Sequence, residues 1–152
     1  MIRRRSYLAI PLHLVWSTQK RQPYITADIE SRLYDFCVAV ARRKRCDVLA
    51  IGGTENHVHL LILFPATIRL MDLMRDLKAS SSHFMLTTLK PDNWFDWQNG
   101  YAAIAVSPSH RKRIIAYIQN QKRHHSDGST EEELERDSEI YETDEDNPLE
   151  SV

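Results

Sequence analysis

A β-α-β-β-α-β order of hydrophobic patterns, followed by one more helical pattern, predicts an α+β fold. The expected form is a ferredoxin-like split β-α-β sandwich with an antiparallel sheet and an extra C-terminal helix that carries a tyrosine. Three observations carry this expectation. Four short apolar runs have strand character, three longer segments repeat apolar residues at helical spacing, and a Gly-Gly turn lies between the second and third strands. With 152 residues, of which 42 % are hydrophobic, the chain can build one core.

The first strand is expected over 7–16, with Pro11 implying a bulge or an edge position. Thr26 can cap a helix over 27–44, whose apolar residues Ile29, Leu33, Phe36, Cys37 and Val40 share one face. Residues 47–53 read as the second strand and 57–64 as the third, joined through Gly52, Gly53 and residues 54–56 as an antiparallel hairpin. A second helix over 68–86 directs Leu70, Leu73, Met74 and Leu77 to the core, and 101–106 reads as the fourth strand. Ser107, Pro108 and Ser109 then open a last helix over 110–124.

Charge divides the chain into two parts. Residues 1–126 hold 19 of the 20 Lys and Arg and 9 of the 21 Asp and Glu, a balance of +10, whereas 127–152 carry −11. The expected organisation is a basic domain over 1–126 and an acidic, mobile tail over 127–152, in which a short helix around 131–140 would have little to bury. A small domain at +10 can bind a polyanion through counterion release, or can simply be neutralised by its own tail. No apolar run reaches the length of a membrane span, so a cytoplasmic protein without a membrane partner is expected. Cys37 and Cys46 have neither the number nor the spacing of a disulfide framework or a thiolate zinc site.

Within the third strand, alternation sends Val58, Leu60 and Ile62 to one face and His57, His59 and Leu61 to the other. Two imidazoles about 6.6 Å apart at their Cα atoms can chelate one cation. Two hydrogen-bonded histidines at the edge of a core would produce the same pattern. Tyr117 and Gln121, four residues apart on the last helix, share a face with Ile114 and Ile118. A phenol can attack phosphorus if a neighbouring group helps it lose a proton, and the Gln amide offers a neutral oxygen to a cation. Tyr117 could equally just border the Ile114 and Ile118 stripe.

Taken together, these patterns resemble the HUH-type single-tyrosine transposases of single-strand insertion sequences, which include the transposases associated with repetitive extragenic palindromes. The resemblance rests on Asn56-His57-Val58-His59-Leu60-Leu61 and on Tyr117-Ile118-Gln119-Asn120-Gln121. It also rests on Val15-Trp16-Ser17-Thr18 with Arg21 and Pro23, on Leu77-Lys78-Ala79-Ser80-Ser81-Ser82, and on Trp97 to Tyr101 leading to Val106-Ser107-Pro108-Ser109. It spans about 7–125 and excludes the acidic tail.

The resemblance implies a DNA transposase in which His57, His59 and Gln121 hold Mg²⁺ or Mn²⁺ and Tyr117 is the catalytic nucleophile. It further implies hairpins of single-stranded DNA as partners and a homodimer in which the Tyr helix can act in trans. Cleavage and rejoining would pass through a 5′-phosphotyrosine. The alternative is a domesticated hairpin-binding protein that no longer cleaves. Candidate phosphate contacts are Arg3, Arg4, Arg5, Arg42, Arg43, Arg45, Arg111 and Arg113, although runs of charge are commonly just solvated. Trp94 and Trp97 are candidates for base stacking or for the core, and His124 and His125 have no assigned role.

Other His-x-His chemistries fit less well. A histidine triad needs a third His where Leu61 stands, and a two-His phosphoesterase needs His-x-Ser or His-x-Thr pairs that are not here.

Overall fold

The computed structural model describes residues 1–90 and 94–138. Four strands, β1 (Pro11–Ser17), β2 (Asp47–Gly53), β3 (His57–Leu63) and β4 (Ala102–Ala105), form one sheet in the order β2-β3-β1-β4, with every neighbouring pair antiparallel. Helix α1 (Ala27–Arg43) links β1 to β2, and α2 (Leu70–Phe84) links β3 to β4. This is the split β-α-β arrangement expected from the sequence.

The alternation along β3 divides the interior into two layers. Val58, Leu60 and Ile62 join Leu14 and Trp16 in the larger core, against Leu33 and Cys37 of α1 and Leu73 and Leu77 of α2. Leu61, on the opposite face, packs with Ala50, Ile114, Tyr117 and Ile118. The two isoleucines and the tyrosine belong to α3 (Arg111–Gln119), which covers the face that also carries His57 and His59.

Pro11 sits neither at a bulge nor on an edge strand. It is the first residue of the central strand β1, a position that tolerates its missing N–H, and the register shift lies instead in β2 between Val48 and Ala50. The expected strand therefore starts later, and Tyr7 upstream of it is 90 % exposed.

The last helical segment is not continuous either. It consists of a single 3₁₀ turn at Pro108–His110, then α3, then α4 (Gln121–Asp127), with Asn120 at the break. The Asn120 side-chain Nδ2 donates to the Ala116 carbonyl at 2.7 Å, and its backbone N–H donates to the same oxygen at 3.1 Å. An Asn amide that competes in this way for the helix's own acceptor disfavours a regular continuation.

Beyond α4, Gly128 closes the helix with φ 71°, and the chain turns back into α5 (Glu132–Glu135). This short helix does bury something. Leu134 is 8 % exposed and joins the cluster around Ile114 and Ile118. The rest of the acidic tail, 139–152, and with it the expectation of mobility there, lies outside the described residues.

One close approach sets the height of α3 above the sheet. A Cβ on Gly52 would lie 2.2 Å from the Ile118 carbonyl oxygen, so the backbones of β2 and α3 can meet only over glycine. Gly52 pairs with His59 across the β2–β3 ladder, so this contact lowers the tyrosine helix onto the histidine strand. Gly52→Ala is expected to displace α3 and cost about 1–3 kcal/mol, as overpacking does. Urea denaturation would show this as a lower midpoint with an unchanged slope.

Candidate metal and nucleophile site

On the α3 face of the sheet, His57 and His59 are 1 % and 0 % exposed, and Gln121 is 1 % exposed. The strand pleat places the imidazoles side by side, with ring centroids 4.9 Å apart. Gln121, the first residue of α4, reaches them from above, its Oε1 lying 3.1 Å from His57 Nε2. A fourth group completes the cluster. Glu135 of α5 places Oε2 3.2 Å from His57 Nε2, 3.3 Å from His59 Nε2 and 3.2 Å from His125 Nε2.

Hydrogen bonding orients the proton of His57. The Nδ1 of His57 donates to Asn56 Oδ1 at 2.7 Å, and Thr54 Oγ1 lies 2.9 Å from the same nitrogen. A neutral His57 then has a bare Nε2. Gln121 Nε2 donates to Glu135 Oε1 at 3.1 Å, which turns its Oε1 towards the imidazoles. A nitrogen lone pair thus faces an amide oxygen and a carboxylate oxygen, all acceptors. Such convergence is repulsive unless a cation or a proton lies among them.

The donor set fits a divalent ion. His57, His59 and Glu135 each offer one ligand atom, all within 4.8 Å of one another, and Gln121 Oε1 adds a neutral oxygen. Adjacent ligands around an octahedral ion bound at about 2.1 Å are about 3 Å apart, close to the separations here. Nitrogen and oxygen donors without thiolate suit Mg²⁺ or Mn²⁺, and imidazoles accept zinc as well.

Tyr117 stands beside this cluster. Its ring is 6.2 Å from that of His59 and stacks on His124 at 4.6 Å. Its hydroxyl donates to Glu135 Oε1 and accepts the Glu131 N–H at 3.0 Å. Burial and the adjacent Glu135 carboxylate raise its pKa to about 12, since both disfavour phenolate. At Glu135 burial favours the neutral acid, but hydrogen bonds from His57 and His59 when a proton occupies their Nε2 atoms, together with that from the Tyr117 hydroxyl, outweigh it and hold the carboxyl far below the usual range. Burial lowers the pKa of His59 and takes that of His13, which lies behind it, to about 3, so both rings favour the neutral form.

The structure therefore brings His57, His59, Tyr117 and Gln121 together within one chain. It does not gather the candidate arginines there. Arg3, Arg4 and Arg5 are exposed before β1, and Arg42, Arg43 and Arg45 are exposed at the end of α1, on the opposite helical layer. Arg111 and Arg113 open α3, where Arg113 pairs with Glu131 at 2.7 Å. Trp97 is buried and donates to Ser81 Oγ at 2.9 Å, whereas Trp94 is 58 % exposed.

Sequence reasoning missed Glu135, His13 and the place of His125. Leu134 was the available signal for the first, a lone large apolar residue among acids that can pin a short helix to the domain. His13 was visible as an imidazole in an otherwise apolar strand.

Comparison with known proteins agrees with this fold. The family described as "Transposase IS200 like" matches residues 6–121. A solved structure of a transposase candidate from Deinococcus radiodurans R1 superposes with a TM-score of 0.61 at 27 % identity, covering 80 % of this chain and 98 % of that one. A REP-associated tyrosine transposase bound to a REP hairpin superposes with a TM-score of 0.58 at 15 % identity, covering 86 % of this chain and 75 % of that one, a likeness of fold. No curated protein matches the chain.

Removing the negative charge beside Tyr117 should lower its pKa. Glu135→Gln is expected to move the Tyr117 transition from about 12 towards the ordinary value near 10. Ultraviolet titration of tyrosinate, taken as the difference from Tyr117→Phe in each background, measures this shift.

Proposed function

The chain belongs to the IS200-like transposase family, and from that premise we propose that it cleaves and rejoins single-stranded DNA through a 5′-phosphotyrosine. The observation that carries this reading is the convergence of His57 Nε2, Gln121 Oε1 and Glu135 Oε2 beside the Tyr117 hydroxyl. Three acceptors around one point, next to a phenol, are suited to holding a divalent cation against a phosphate.

His57, His59 and Gln121 would hold the ion, with Glu135 supplying a fourth oxygen only until a phosphate takes its place. When bound, Mg²⁺ or Mn²⁺ would supply Lewis acidity to a phosphate oxygen and offset charge in the in-line transition state. The chain's own residues do the rest. Tyr117 Oη loses its proton and attacks phosphorus; the bond from phosphorus to the 3′-oxygen breaks; the departing 3′-oxygen takes up a proton. The 5′-phosphate stays esterified to Tyr117, and a 3′-hydroxyl of another strand can reverse the attack without a nucleotide cofactor.

Recognition of hairpins belongs to the same proposal, supported by the hairpin-bound relative of this fold and by the +10 charge of residues 1–126. Arg3 to Arg5 and Arg111 are exposed and suitably charged to contact phosphates, while Arg42, Arg43 and Arg45 would serve only DNA that reaches the far helical layer. Pairing of two copies is also proposed. Because Tyr117 and the histidines meet within one chain, such a dimer would not need to exchange helices to complete a site.

The acidic tail would compete with DNA for this face. Glu131 pairs with Arg113, Asp137 pairs with Arg21 at 2.7 Å and accepts from Ser17 Oγ at 2.5 Å, and the Glu135 carboxylate lies where a scissile phosphate would need to approach the imidazoles. Deleting 127–152 should therefore raise affinity for nonspecific single strands at low salt, and the gain should shrink as salt rises. Unchanged binding in a salt-dependent shift assay would reject the competition.

The central experiment incubates the protein and Tyr117→Phe with Mg²⁺ or Mn²⁺ and single strands from the flanking DNA of the element. A covalent adduct on a denaturing gel, absent with Tyr117→Phe, is the expected outcome. Retarded DNA without an adduct under either metal would instead favour the hairpin-binding reading.

A further inference from the structure

Behind the proposed cation site lies an imidazole that the proposed chemistry does not use. His13 projects from β1 on the face shared with His59, the register pairing Val15 with His59 and His13 with Leu61. It is wholly buried, and its Nε2 lies 2.8 Å from His59 Nδ1. The ring centroids are 5.0 Å apart with planes tilted by 26°. With two nitrogens in contact, this is an edge-to-edge hydrogen bond rather than a face-to-face stack. The other nitrogen of His13, Nδ1, is buried and has no hydrogen-bond partner among the described residues.

One proton lies between the facing nitrogens, and its owner decides what His59 can do. A neutral imidazole carries a single N–H. If His59 presents a bare Nε2 to a cation, its proton sits on Nδ1 and His13 Nε2 must accept it, leaving the His13 proton on Nδ1. If His13 donates through Nε2, the His59 proton sits on Nε2, where it can be donated to Glu135 but cannot ligate. Both states hold the same two protons and differ only in where they sit.

We infer that His13 is a positioning residue that supports the tautomer of His59 able to ligate a divalent cation, by accepting the hydrogen bond from His59 Nδ1. The inference rests on the reading of His57 and His59 as cation ligands. The two ligands differ in their support. His57 donates to an Asn56 amide oxygen, which only accepts and so holds one tautomer. His59 faces a group that can either accept or donate, so its readiness is adjustable. The ligating state also places an N–H on the unpartnered Nδ1 of His13, and a buried orphan N–H is costlier than a bare nitrogen. Position 13 must supply an acceptor because the ligating His59 carries its proton on a buried Nδ1, and an imidazole in that place tempers the affinity of the site through its own orphan N–H.

The test compares full-length wild type, His13→Gln, His13→Leu and His57→Ala by titration with Mn²⁺, following loss of the free-ion electron paramagnetic resonance signal. Glutamine keeps an acceptor oxygen and should bind within about threefold of wild type or tighter. Leucine should bind about 10–100-fold more weakly, the usual loss when a ligand histidine loses its partner. Thermal melting of the metal-free variants checks that both are folded. Nitrogen-15 spectra of histidine-labelled protein should show His59 Nδ1 protonated when Mg²⁺ is added, and less completely so in His13→Leu.

Equal Mn²⁺ affinities for His13→Leu and His13→Gln, with His57→Ala impaired, would overturn the role of His13 while leaving the cation site standing. If wild type takes up no Mn²⁺, or His57→Ala binds as well as wild type, the cation reading fails and this inference falls with it. A leucine variant too unstable to titrate is replaced by His13→Met, for which the same ratio to His13→Gln is decisive.

Discussion

The approach of α3 to Gly52 is the constraint on which the site depends. Without a side chain at 52, the Ile118 carbonyl can rest on β2 next to the residue that pairs with His59. The helix then carries Tyr117 to the same height as the histidines, and Ile114 and Ile118 anchor it through the cluster with Leu61. Strand β3 contributes the other half of the rigidity, because it is flanked by β1 and β2 and both of its edges are hydrogen bonded. In the proposed roles of nucleophile and ligands, side chains positioned by backbone contact would lose little freedom when a substrate arrives, which favours transfer between fixed partners.

Electrostatics explains why an acidic segment folds onto this surface. The two-histidine cluster, Arg113 and Arg21 face the side of the domain from which a phosphate chain would approach, and Glu135, Glu131 and Asp137 engage these groups in turn. A carboxylate and a phosphate offer the same oxygen chemistry to such partners. The exposed ion pairs contribute little stability individually, whereas Leu134 buries apolar surface, so the short helix is held by one hydrophobic anchor and aimed by its charges.

Much of the fold was legible in the sequence because its hydrophobic patterns agree with its turns. The third strand, from His57 to Leu63, was placed by alternation, and Gly52-Gly53 marked its hairpin with β2. The last helix was legible as helical but not as broken, since Asn120 acts through a hydrogen bond to Ala116 that spacing alone does not reveal. At the site, the meeting of His57 and His59 followed from local periodicity, and that of Tyr117 with Gln121 from a four-residue step. Glu135 did not follow from either. It lies 76 residues from His59 in a run of acids, and only the burial of Leu134 distinguishes it from its solvated neighbours. His13 escaped for a related reason, because its partner lies across a strand pair whose register no single segment encodes.

His59 is gripped from two sides by groups of different mobility. His13 meets Nδ1 from the central strand β1 and cannot leave without disrupting the sheet, whereas Glu135 meets Nε2 from a four-residue helix at the chain's acidic end. A substrate at the proposed site would enter from the side that can give way. The same asymmetry applies to Tyr117, whose ring is fixed by α3 packing while its hydroxyl is held by Glu135 and by the Glu131 backbone. Withdrawing one short helix would thus free the Tyr117 oxygen and the imidazole lone pairs together, without moving the atoms that carry them. Under the proposed function, coupling both events to a single anchor at Leu134 would give the fold one point at which DNA, by competing for the paired arginines, would open the site.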